Sequence, residues 1–408
     1  MTSSGREDRN SGEPARACAG GLPLSRRALL RAIGGLGALG AAALSSGCSG
    51  AHVADEAEPV ATVVEGSANP VELARSMQVD MVGDVGRLKT FDMHCDTVDV
   101  LSMSSWEPYL STPALSRQGD LMSNNGDVSL DRMGQIAHVQ GYAIWLPDAV
   151  DDPLGFYRQA RDWFKSQMQT YSDSVVQVKD AQDIPDVLAQ DKSCAFLTVE
   201  SAAAVKDDLN VVDEMADDGV KCVGLTWNGQ NALAGGAKSD VGISDLGRRA
   251  IERFEDRKVA LDGAHLCDRS FWELMKLRRR PVMVSHALSR SVCDVPRNMT
   301  DDMFRAVVDD GGIVGVSCCT EFITKRTTGT DVTFDELMAH YERFLDLGGE
   351  KCLCLGGDFD GARLPSWLSS VDALPSFYNQ VAARFGAELA DDIFFQNAYA
   401  FMVRNELV

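Results

Sequence analysis

Between residues 88 and 360 the chain alternates short, near-continuous apolar runs with longer stretches whose apolar positions recur every three to four residues. The first four runs are K-T-F-D-M-H-C-D (89–96), V-Q-G-Y-A-I-W-L (139–146), C-A-F-L-T-V-E (194–200) and C-V-G-L-T-W-N (222–228). The next four are V-A-L-D-G-A-H (259–265), P-V-M-V-S-H (281–286), G-I-V-G-V-S-C (312–318) and C-L-C-L-G-G-D (352–358). A strand covered on both faces is apolar at successive positions, so these eight runs predict strands of a buried parallel sheet. The stretches between them predict helices. Ser244 caps one whose Leu246, Ala250, Ile251 and Phe254 share a face. Thr333 and Glu336 form a capping-box pattern ahead of Leu337, Tyr341 and Phe344, with Gly348 as the stop. Eight strand–helix repeats predict an α/β fold, a single (β/α)8 TIM-type barrel over residues 86–408. An open doubly wound sheet is the alternative; within the strand–helix repeats no G-x-G-x-x-G opens a helix to mark a dinucleotide site.

Polar residues interrupt the apolar runs at one place, their carboxyl ends. His94 and Asp96 close the first run, Glu200 the third, His265 the fifth, His286 the sixth and Asp358 the eighth. In a barrel all those ends meet on one face, where catalytic groups sit. Each residue alone has a plain structural reading. A lone His at a strand end is more often a hydrogen-bonded structural residue, Asp358 could cap a loop, and a buried Glu200 could pair with an Arg. The conjunction is what points to chemistry, since three of the six histidines share this location with three carboxylates. His138, just before the second strand, and His340, on a helix, read as structural or surface residues. Imidazole and carboxylate donors without thiolate suit Zn²⁺, with Mn²⁺ or Co²⁺ as alternatives. Three His, one Asp and one Glu exceed the needs of one tetrahedral ion, and two metals sharing a carboxylate and a bridging hydroxide account for the surplus.

The 408 residues carry a net charge of −21, and the first 48 contribute six Arg against three acidic residues, so the remainder stands near −24. Such a body does not bind nucleic acid through a general field. Residues 25–31 read S-R-R-A-L-L-R and precede an Ala- and Gly-rich apolar run ending L-S-S-G-C-S, which resembles a twin-arginine export signal; a transmembrane anchor is the alternative. Export would make the twin-arginine machinery a partner and leave the protein extracytoplasmic, either secreted or held at the cell surface. Cys48 is a candidate lipid anchor, although the apolar residue of a lipoprotein site falls at Leu44 and not at Ser45. Residues 49–85 read as an acidic spacer and lead-in. The 11 cysteines show no metal-finger or redox spacing, and Cys194, Cys222, Cys352 and Cys354 read as small core residues.

The segments F-D-M-H-C-D-T, F-L-T-V-E, V-S-H-A-L-S-R-S-V-C-D-V-P-R-N-M-T-D-D and G-G-D-F-D-G, in that order, resemble the membrane (renal-type) dipeptidases, a family of zinc peptidases. The resemblance covers about residues 86–408 and implies a metal-dependent hydrolase-like barrel acting on dipeptides, often with a D-residue at the carboxyl end. It implies that His94, Asp96 and Glu200 hold a first zinc, that Glu200 bridges, and that His265 and His286 hold a second. It also implies that Arg297 binds the substrate carboxylate, that Asp358 is the acid/base group and that Asp360 is structural. One position departs: where many members carry a His after the Thr of the fourth strand motif, this chain has Trp227. Trp227 is therefore expected to wall the pocket, with Asn228 helping to polarise the substrate carbonyl. A different binuclear amidohydrolase, such as a lactonase, is the alternative, but those barrels usually begin H-x-H where this chain has H-C-D. A non-catalytic receptor on the same fold is the third reading, and a homodimer is left open.

Overall fold

The computed structural model describes residues 70–103, 118–326 and 331–407, all within the unit spanning residues 57–408. The leader features at Arg26, Arg27 and Cys48, and the acidic stretch up to residue 69, lie outside the described residues. Among the described residues nine strands form: β1 (Leu88–Cys95), β2 (Ile136–Trp145), β3 (Val175–Gln177), β4 (Ser193–Glu200), β5 (Val220–Gly224), β6 (Ala260–Asp262), β7 (Met283–Ala287), β8 (Ile313–Ser317) and β9 (Leu353–Gly356). Neighbours run β2-β1-β9-β8-β7-β6-β5-β4, and β2 also pairs with β4 in parallel, which closes an eight-stranded barrel. All eight predicted runs are strands of that ring. The ninth, β3, has three residues, only one of them fully buried, too few for an apolar run to register; it pairs with the first residues of β4. The second strand begins three residues earlier than its apolar run, so His138 lies inside β2.

The sequence explains the packing. One apolar cluster takes a residue from every strand of the ring, among them Phe91, Val139, Phe196, Met283 and Cys354, and so fills the barrel. Cys194 and Cys222 belong to it, as small side chains that a crowded interior accepts. A π-helical turn, Asp392–Gln396, leads into the helix Asn397–Leu407 and sets Phe395 against Phe91, closing the amino-terminal end of the barrel. The second cluster lies between strands and helices. The helix Asp245–Asp256 starts where Ser244 accepts a bond from the Gly247 amide and buries Ala250, Ile251 and Phe254. The helix Phe334–Asp346 opens with the full Thr333–Glu336 capping box, and Gly348 turns the chain away at φ 90°. One helix was not predicted: Pro70–Ser76, in the lead-in, where Ala74 is buried. Among the described residues no helix is long and apolar enough to cross a membrane.

Two histidines are structural, as expected. His138 accepts from the Thr90 hydroxyl at Nδ1 (2.7 Å) and donates from Nε2 to Gln140 Oε1 (3.0 Å). His340 accepts from the Ser289 amide at Nδ1 and donates from Nε2 to Ile323 O, each at 3.0 Å. Burial pushes both down to about 4. The unfolded chain therefore takes up protons below about 6.5 that the folded chain refuses. Their contribution to stability is complete above pH 6.5 and is lost as pH falls towards 4, at up to about 1.4 kcal/mol per pH unit for each group. Denaturation midpoints measured from pH 7 to 4.5 should show that loss, and His340→Gln should flatten it. An unchanged slope in the variant would contradict the assignment.

Candidate metal centre

Three strands and two turns deliver the polar residues to the carboxyl end of the barrel. β1 carries His94, and Asp96 follows its end; the register of β1 against β2 slips between Asp92 and Cys95. β7 carries His286, and its register against β8 slips between Val284 and Ala287. Such bulges re-aim side chains at barrel rims. β4 ends on Glu200. His265 and Asp358 were expected to close their strands, but β6 stops at Asp262 and β9 at Gly356. Both residues instead occupy tight turns in the left-handed region, at φ 64° and 60°. Non-glycine residues held there cost on the order of 1 kcal/mol, a strain found most often at functional sites.

The six groups converge. His94 Nε2 lies 3.4 Å from Asp96 Oδ2, 3.2 Å from Glu200 Oε2 and 3.9 Å from Asp358 Oδ1. The other oxygen of Glu200, Oε1, lies 2.8 Å from His265 Nε2, which is 2.9 Å from His286 Nε2. The His94 and His286 rings stack with centroids 3.9 Å apart. One carboxylate thus faces two imidazoles with its two oxygens. His265 donates from Nδ1 to Asn228 Oδ1 (3.1 Å), and His286 Nδ1 lies 2.8 Å from Ser285 Oγ. The Asn228 oxygen can only accept, so it places the ring proton of His265 on Nδ1 and leaves its Nε2 lone pair facing Glu200.

The electrostatics follow from burial and proximity. Burial holds His265 neutral, down to about 4 with the Arg297 charge adding to the effect, and burial and the His94 charge hold His286 well below the usual range. Burial opposes charge on His94 too, but Asp96 and Glu200 outweigh it and hold that group well above its usual value. Burial likewise opposes charge on Glu200, and the imidazoles of His265 and His94 overcome it. Burial pushes Asp358 up to about 7 against the pull of His94. Three carboxylates this close repel one another and demand positive charge.

The substrate-side residues are adjacent. Arg297 is buried and donates from Nη2 to His286 O at 3.0 Å. Trp227 sits with its ring 6.3 Å from His265, edge-on to Trp145 at 4.9 Å, and under the Lys238 ammonium at 5.7 Å. The Asn228 carbonyl oxygen is engaged by His265, which leaves only its amide N–H groups for a ligand. Asp360 has the expected structural role: it accepts from Thr97 Oγ1 (2.7 Å) and from the Asp127 amide (2.8 Å). Sequence reasoning passed over Ser285, Asp92 and Asp262, whose signal was their spacing of one, two and three residues before His286, His94 and His265.

These residues fit metal. His94 Nε2 and Asp96 Oδ1 are buried without a hydrogen-bond partner, although each is within reach of donors that suit a cation. Leaving such atoms unsatisfied is expensive unless an ion completes them. The groups His94, Glu200, His286 and His94, Asp96, Asp358 each gather ligand atoms within 4.8 Å.

Comparison with known proteins agrees. The model of the membrane dipeptidase family, peptidase family M19, matches residues 85–406. An uncharacterised protein from the pqqA 5′ region of Klebsiella pneumoniae is 28% identical over 206 residues, 48% of this chain and 75% of that protein. The solved structure of dipeptidase AC, a family M19 metallopeptidase, superposes with TM-score 0.71 at 20% identity, over 79% of this chain and 99% of that one. A metallopeptidase from Rhodobacter sphaeroides, liganded with a phosphinate mimic of L-Ala-D-Ala, superposes with TM-score 0.69 at 19% identity, over 78% of this chain and 99% of that one. At these identities the structural likeness speaks for the barrel alone.

Proposed function

The chain belongs to peptidase family M19, the membrane dipeptidases, and from that membership we propose that it is a binuclear zinc dipeptidase. The observation that carries the reading is Glu200, whose two oxygens lie 3.2 Å from His94 and 2.8 Å from His265 and so join two ligand clusters. His94, Asp96 and Glu200 would hold one zinc, and Glu200, His265 and His286 the other. The pair would supply a hydroxide nucleophile at neutral pH and neutralise charge developing on the peptide oxygen.

The chain's own residues do the rest. Arg297 takes the free carboxylate of the dipeptide with its planar fork, which orients the substrate and selects for chains that end there. Asp358 accepts the proton of the attacking water and passes it to the leaving amine. For the protein groups alone burial puts this carboxyl at about 7, and cations beside it would draw it lower. The dipeptide mimic in the Rhodobacter relative supports L,D-dipeptides as candidates for this chain too.

Length selection tests the reading. Amidating a good dipeptide substrate should cost about 2–4 kcal/mol of transition-state binding, roughly 30- to 1000-fold in kcat/KM, because Arg297 is left charged and buried without its partner. Arg297→Lys should restore little, since an ammonium cannot make the fork. Equal turnover of a dipeptide and its amide would contradict the assignment.

Trp227 is proposed as a wall. Trp145 covers its edge and Lys238 one of its faces, and Phe would retain most of that packing. Removing an oxyanion donor typically costs ~10²–10³ in kcat. Trp227→Phe is therefore expected to lose less than about tenfold in kcat. A loss of a hundredfold or more with metal content intact would make the indole N–H the oxyanion donor.

A further inference from the structure

Two seams of the barrel have the shortest ladders. β1 meets β9 through one register pair, Asp92 with Leu355, and past the strand ends through a Cys95–Phe359 bridge with bonds from Asp96 N to Phe359 O (2.9 Å) and from Asp358 N to His94 O (3.2 Å); β6 meets β7 through one pair, Asp262 with Met283, followed by Gly263 N to Met283 O (2.7 Å). Every other junction of the ring has three pairs or more. Both seams carry site residues on each side: His94 and Asp358 flank the first, His265 and His286 the second.

A buried carboxylate crosses each seam at that single pair. Asp92 accepts from the His94 amide on its own strand (2.9 Å) and from the Gly357 amide across the gap (3.0 Å). Asp262 accepts from the Ala264 amide on its own side (2.8 Å) and from the Ser285 amide across the gap (2.9 Å). Gly357 has to be glycine for this approach, because a Cβ there would stand 2.5 Å from Asp92 Oδ2. The side chains thus hold amides that a regular ladder would have paired with carbonyls.

Asp262 does more than lace. Its carboxylate is also hydrogen-bonded by the Ser285 side chain, whose Oγ lies 2.8 Å from His286 Nδ1. An ionised carboxylate can only accept, so the hydroxyl proton points at Asp262 and the imidazole proton points at the hydroxyl. The Nε2 of His286 is then left as a lone pair facing Glu200 and His265.

We propose that Asp92 and Asp262 are positioning residues, each lacing one of these seams of the barrel and setting the geometry of one half of the metal centre, with Asp262 also fixing the ring proton of His286 through Ser285. The proposal rests on the binuclear reading above. It makes Asp262→Asn more harmful than loss of the hydroxyl. The Asn oxygen still holds both amides, but its N–H₂ now donates to Ser285 Oγ. The hydroxyl then turns its proton to His286 Nδ1, and the imidazole carries its proton on Nε2, where it cannot ligate.

The test is a zinc titration of the full chain against a competing chelator, with a denaturation midpoint in excess chelator to record the fold alone. The wild type should take two ions. Outer-shell partners are worth roughly 10–100-fold in metal affinity, so Asp262→Asn should weaken one ion by that factor and leave the other within about threefold. Asp92→Asn should weaken the other ion. With cobalt in place of zinc, the one-ion form of Asp262→Asn should have the spectrum of His286→Ala, and that of Asp92→Asn the spectrum of Asp96→Ala. Ser285→Ala should lose several-fold, and adding it to Asp262→Asn should recover affinity, because the reversed donor is gone. Titrations of Ser285→Ala and Asp262→Asn that match a two-ion wild type would overturn the proposal. So would equal weakening of both ions together with a lowered midpoint, or a double variant no better than the single. A wild type that takes fewer than two ions would instead sink the proposed function.

Discussion

Glu200→Gln is expected to lose both the second ion and the reaction. Glu200 is the one group whose two oxygens serve both clusters, at 3.2 Å from His94 and 2.8 Å from His265. The amide keeps the shape but removes the negative charge and turns one acceptor into a donor aimed at an imidazole or an ion. Metal catalysis is worth several kcal/mol, so kcat/KM should fall on the order of 10³-fold or more. Metal content measured on the same sample should drop below two. A Glu200→Gln protein with two tight ions and near wild-type turnover would remove the bridging role.

Asp358→Asn carries the second large effect, and it separates two roles that the geometry alone leaves close together. Asp358 Oδ1 is 3.9 Å from His94 Nε2, near enough to gather with His94 and Asp96 around an ion. As the proton carrier it should be needed for turnover and not for metal. General acid–base groups contribute typically 10²–10⁴-fold. The expectation is therefore a fall of that order in kcat, KM nearly unchanged, and two ions retained, the pattern of an interaction made only in the transition state. Loss of an ion together with activity would make Asp358 a ligand.

Much of this was legible in the sequence, and the reasons are physical. Strands covered on both faces must be apolar at successive positions, so the eight ring strands wrote themselves as runs, and the caps at Ser244 and Thr333 marked helix starts. The site residues stood out because a polar group at the end of an apolar run has few structural reasons to be there. What the pattern could not carry was the third dimension. β3 is too short and too exposed to signal. The turns that lift His265 and Asp358 off their strands depend on positive φ at non-glycine residues, which no local propensity announces. Nor could spacing show that the Asn228 oxygen is taken up by His265, or that Asp92 and Asp262 reach across neighbouring strands, since both depend on which strands lie side by side. The burial of His340 is not written in its helix either, because its hydrogen-bond partners come from elsewhere, Ser289 just after β7 and Ile323 at the end of the short helix Thr320–Ile323.

The two-metal dipeptidase centre proposed around Glu200 stands or falls with zinc content and dipeptide turnover, followed on one sample of the full chain through chelation and stepwise return of zinc. The expected result is about two zinc ions per chain as isolated, turnover abolished on chelation, and full recovery only when the second equivalent is restored. Dipeptide turnover that survives removal of the metal, or a two-zinc protein that cleaves no dipeptide, would contradict it.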